Sequence, residues 1–109
     1  MAVTPFPSFE DYIFRSTLIS GATGTGNGAW ELVAGMRTLN IHVKGIGAAT
    51  VTVNGSNDPT KPADSDHEIT LASITSDDIV TVQGPLRWMK ARVSAHTSGT
   101  INAYLEAIN

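Results

Sequence analysis

Residues 37–53 read Arg-Thr-Leu-Asn-Ile-His-Val-Lys-Gly-Ile-Gly-Ala-Ala-Thr-Val-Thr-Val. Leu39, Ile41 and Val43 fall on one face of an extended chain, with His42 among the polar residues on the other. A period of two is the mark of a half-buried strand, because successive side chains point to opposite sides of the backbone. Gly45 and Gly47 then turn the chain into residues 49–53, which alternate again. Working outward, the same period returns at residues 16–19, 29–33, 67–71, 78–82, 86–93 and 100–106. Turn chemistry separates the runs: the glycine-rich stretch 21–28 (GATGTGNG), the polar loop 54–66 with Pro59 and Pro62, Gly84-Pro85, and Ser98-Gly99. About eight short strands spaced in this way predict an all-β fold, a single antiparallel two-sheet sandwich of the jelly-roll or Greek-key kind. A sandwich buries one face of each sheet, which is what the alternation requires.

Composition agrees. The 109 residues include 13 Thr, 9 Ser, 6 Asn and 10 Gly, and only 16% are charged. That mixture disfavours helices and suits strands and turns. A chain of this mass can bury about 65% of its unfolded surface, enough for one core and not for two. The net charge of -3 and the lack of a basic run exclude a nucleic-acid binder that works by phosphate neutralisation. No apolar stretch approaches the ~18 residues of a membrane span, and the first residues lack the pattern of a secretory signal. Zero cysteines exclude disulfides and thiolate metal sites and fit assembly in a reducing cytoplasm.

Residues 1–14 (MAVTPFPSFEDYIF) differ from the rest. All three Phe of the chain, Phe6, Phe9 and Phe14, lie here with Tyr12, and Pro5 and Pro7 favour extended geometry. Large aromatics at a terminus seek burial. The expected organisation is an N-terminal arm over 1–14, docking on its own domain or on a neighbour, and a β-sandwich domain over 15–109.

Catalytic chemistry is not written here. His42, His67 and His96 stand alone, without the spacing of a zinc site, and no serine lies in a nucleophile elbow. Asp58, Asp64, Asp66 and Glu68 read as solvated turn carboxylates, since their spacing matches no calcium loop and two prolines stiffen the middle. The glycines at 21, 24, 26 and 28 form a hairpin loop, because neither a helix nor a phosphate-binding lysine follows. No catalytic residue, metal or cofactor is expected. Lys90 and Arg92 share one face of their strand, beside Trp88, and suit an acidic partner surface or a protected sheet edge. Met89, Ala91 and Val93 also alternate, so which face of that strand is inward stays open. Tyr104 lies opposite Ile101, Ala103 and Leu105. Trp88 and Tyr104 suit a protein interface or a carbohydrate platform.

The succession 49–58, then 68–71, then 84–94 and 97–105 resembles small virion structural proteins of tailed bacteriophages, of the type that decorates, or cements, the capsid. The resemblance covers roughly residues 29–107 and rests on the pattern of strands and turns. It implies a non-enzymatic protein on the capsid surface, bound to the major capsid protein and often trimeric. The contact residues it brings forward are Phe6, Phe9, Tyr12, Phe14, Trp88, Lys90 and Arg92. Tail, fibre and adaptor sandwiches share the pattern, and a carbohydrate-binding module is the reading from a different class.

Overall fold

The computed structural model describes residues 13–109, and these contain strands and loops but no helix. Phe6, Phe9 and Tyr12, and with them most of the expected arm, lie outside the described residues. Nine strands follow in chain order: β1 (Ile13–Ala22), β2 (Gly26–Asn27), β3 (Glu31–Leu32), β4 (Thr38–Ile46), β5 (Ala49–Ser56), β6 (Ile69–Ile74), β7 (Asp78–Gln83), β8 (Trp88–His96) and β9 (Gly99–Ile108). They form two antiparallel sheets. The first has the order β1-β9-β4-β7; the second has β2-β8-β5-β6, with β3 also paired to β8. The all-β sandwich expected from the alternation is the architecture observed.

The chain crosses from one sheet to the other at most of its connections, so sequence neighbours are seldom partners. The stretch 21–28 is accordingly not a hairpin. It carries the chain from β1, which pairs with β9, to β2, which pairs with β8. Gly28 ends this crossover with its N–H donating to the Ala91 carbonyl at 2.9 Å. A Cβ at Gly28 would lie 2.5 Å from the Ala91 oxygen and 2.8 Å from that of Leu18. Only glycine lets the crossover touch both sheets here. The arches after β4 and after β8 are bonded together, with Thr97 N–H donating to the Ala48 carbonyl at 2.7 Å and Ala48 N–H to Ser98 Oγ at 2.9 Å. Asp77 anchors the same end by accepting from Ile46 N–H at 2.8 Å. The backbone donors of Ile46 and Gly45 hold its carboxyl below the usual aspartate range.

The core is what the period of two selects. Leu39, Ile41 and Val43 of β4, Ile101, Ala103, Leu105 and Ala107 of β9, Val51 and Val53 of β5, and Met89, Ala91 and Val93 of β8 are buried in one cluster. Met89, Ala91 and Val93 are therefore the inward face of β8. Ile13 and Phe14, expected in the arm, belong to β1 of the sandwich. Ile13 pairs with Ile108, and Phe14 pairs with Ala107 and packs against the core.

Candidate functional site

The two sheets treat their outer faces differently. In an ordinary sandwich both outer faces meet water, and alternate residues are polar for that reason. Here the second sheet is covered by its own chain. On its outward side, Thr52, Asn54 and Ser56 of β5 are buried although they point away from the core. Their cross-strand partners on β8 are Arg92, Lys90 and Trp88. Residues 57–66, expected within a polar loop over 54–66, lie with His67 over this face, against Ser56, Trp88 and Lys90. The expected loop also began too early, since Asn54, Gly55 and Ser56 belong to β5.

The cover is held by polar contacts. Trp88 Nε1 donates to the Asp58 carbonyl at 2.9 Å, and Trp30 Nε1 donates to the Ala63 carbonyl at 2.9 Å. Arg87 N–H donates to Asn57 Oδ1 at 2.9 Å, and Ser56 Oγ donates to Glu68 Oε1 at 3.2 Å. Lys90 Nζ donates to the Asp64 carbonyl and to His67 Nδ1, the latter at 2.9 Å. The same ammonium stands 5.2 Å from the centroid of the Trp30 ring, a cation–π distance. Desolvation pushes the Lys90 pKa below the usual lysine range; Arg92 adds to this, while Asp64 and Asp66 oppose it. His67 is also lowered, first by desolvation and then by Lys90 and Arg92, with Asp66 opposing. Glu68 is raised, by desolvation and then by Asp66.

Several of the expected contact residues are engaged within the sandwich itself. Lys90 is fully buried and is not available to a partner on this closed surface. Phe14 packs on the core of its own sandwich. Trp88 and Arg92 are half-buried, Trp88 with its indole N–H already engaged. His67 does not open a strand; it is the end of the cover, two residues before β6.

The first sheet is bare. Ile13, Ile79, Tyr104 and Ile108 are four of the six large hydrophobic residues exposed among the described ones, and all four point outward from this sheet. The register arranges the face in rows. Thr17, Tyr104, His42 and Ile79 form one, Arg15, Glu106, Asn40 and Thr81 the next, and Ile13, Ile108, Thr38 and Gln83 the third. The middle row is polar and internally satisfied: Arg15 meets Glu106 at 3.1 Å, and Thr81 Oγ1 donates to Asn40 Oδ1 at 2.7 Å. The apolar side chains flank that row on both sides. Tyr104 is 40% exposed and leans on His42, with ring centroids 6.2 Å apart. Ile79, Tyr104, His42, Arg15, Glu106 and Ile108 line one shallow depression. Sequence reasoning had placed His42 and Tyr104 outward. It missed Ile79 and Ile108, although each sits at a polar-phase position of an alternating run, and Ile13, which it assigned to the arm.

Among the described residues no three His, Asp or Glu side chains gather as a metal site would require. No protein-family model matches the chain. No curated protein matches it either. Among solved structures, the SPBc2 prophage-derived protein YomS is similar in fold, with a TM-score of 0.73 at 14% identity. The likeness covers 100% of this chain and 99% of that one.

Proposed function

We infer that the protein is a structural component of a phage virion, a non-enzymatic sandwich that decorates the capsid and stabilises it through contacts with the major capsid protein. The observation that carries this reading is the full-length likeness in fold to a prophage-derived protein. Topology adds to it. With β2 and β3 counted as one interrupted edge strand, the two sheet orders read as those of a jelly roll, an architecture shared by viral capsid domains.

The bare face of the first sheet is the contact surface in this reading. Four strands about 4.8 Å apart and about eight residues long present on the order of 500 Å². A standard stable interface buries about 800 Å² on each partner. One copy on its own therefore binds weakly, and repetition about a symmetry axis supplies the rest, which favours a trimer on a repeating shell. The aromatic residues Phe6, Phe9 and Tyr12 add apolar area to such an assembly.

Particles freed of the protein and incubated with the purified chain test the face directly. The double variant Ile79→Ser, Ile108→Ser is expected to bind at least about tenfold more weakly, the equivalent of about 1.4 kcal/mol. Its circular dichroism should be unchanged, because both side chains already point to solvent. Binding equal to that of the unmodified chain would count against the face. A second reading, a carbohydrate-binding module, is favoured by Tyr104, whose exposed ring shares a shallow depression with Asn40, Arg15 and Glu106. It differs from the first in being satisfied by a soluble saccharide.

A further inference from the structure

The cover over the second sheet is anchored in an unusual way. Lys90 has three donors and no acceptor, so His67 Nδ1 must accept from it, and that requires a neutral imidazole with its proton on Nε2. A second proton on His67 would remove the acceptor and set an imidazolium 2.9 Å from an ammonium. Arg92 of β8 is a further cation facing the pair, while Asp64 and Asp66 of the cover are the anions that oppose it. Glu68 follows, beside Asp66 and Asp58. The side chains of β5 beneath, Thr52, Asn54 and Ser56, carry no charge.

Apart from the hydrogen bonds from Trp30, Trp88, Lys90 and Arg87, little apolar burial holds the cover down. Of residues 57–67 only Pro62 is buried, with His67 half-buried. A segment with so few buried apolar contacts lies at the low end of local stability. The face beneath is also incompletely satisfied: Asn54 Oδ1 and Arg92 Nε are buried without a hydrogen-bond partner among the described residues. Glu68, where the cover joins β6, has φ of 49°, a left-handed conformation unfavourable for a residue with a Cβ.

We propose that residues 57–67 are an acid-released strap, latched by the Lys90–His67 hydrogen bond, whose opening exposes the side chains of Trp30, Trp88, Lys90 and Arg92 to solvent. The direction follows from linkage. A freed His67 titrates near the ordinary value of about 6.5, whereas the latched one titrates lower. The open state therefore binds more protons, and acid favours it as the pH falls below about 6.5. Closure is fully favoured above that value.

The chain supplies its own reporters. Its two tryptophans, Trp30 and Trp88, both donate their indole N–H to carbonyls of the strap. Emission and acrylamide quenching of the full chain should be followed from pH 8 to 5, with far-UV circular dichroism alongside. The expected result is a red shift and easier quenching with a midpoint below about 6.5, while the β-sheet signal holds. In His67→Gln the side-chain oxygen can still accept from Lys90 but does not titrate, and the shift should vanish. A companion variant, Lys90→Met, should move the titration of His67, read from its ring protons by NMR, back towards the ordinary histidine value. Emission that stays constant, a shift that persists in His67→Gln, loss of the sheet signal at the same midpoint, or an unmoved His67 titration in Lys90→Met would each overturn the proposal.

Discussion

A lysine two residues from an arginine on an alternating strand ordinarily stands in water, and Lys90 does not. Its strand was legible but not its direction: Met89, Ala91 and Val93 alternate, as do Leu86 and Trp88 on the other face, and only the packing of the sandwich turns the first set inward. What lay over it was not legible, because the cover is built from residues more than twenty positions upstream. The polar atoms that receive the ammonium belong to a backbone carbonyl and a histidine ring, and neither announces a partner in the sequence. Removing the side chain separates its two roles. Lys90→Ala leaves a cavity and strips the Asp64 carbonyl and His67 of their donor, and should cost about 2–4 kcal/mol in urea unfolding. Lys90→Met keeps most of the volume and removes a buried charge, so it should cost less than half as much. Equal losses for the two variants would mean that the charge, not the packing, carries the stability.

At the scale of the element, β4 and β9 were readable almost residue by residue and β5 as far as Val53, since strict alternation specifies both strand and face. The edge pieces β2 and β3 were not. Each is two residues long and pairs with β8 on either side of Trp30, where residues 29–33 had suggested one continuous strand. The physical reason is Gly28, whose close approach to β8 and β1 bends the edge between them. Gly28→Ala would force the crossover away from two carbonyl oxygens and is expected to lower stability by about 1–3 kcal/mol, measured by denaturant unfolding. A neutral substitution there would mean that the crossover has room to shift. The connection between sheets was illegible for a different reason: a glycine-rich stretch states that the chain turns, not which sheet it enters next.

At the scale of the whole molecule, the distinctive feature is asymmetry. One outer face is closed by residues 57–67 and one is open, and the open face gathers Ile13, Ile79, Tyr104 and Ile108 around a satisfied polar row. The sequence held half of this. Tyr104 and His42 could be placed outward from their strands, but the register that brings them beside Ile79 depends on pairings between residues 42, 79 and 104 that no local pattern encodes. An open face too small for a strong single contact is suited to repetition, and repetition is what a shell provides. The reading of the protein as a capsid decoration is therefore tested most directly by its copy number in purified particles, measured by quantitative mass spectrometry against the most abundant shell protein. The account predicts a ratio near one copy per shell subunit. Absence from the particles would contradict it.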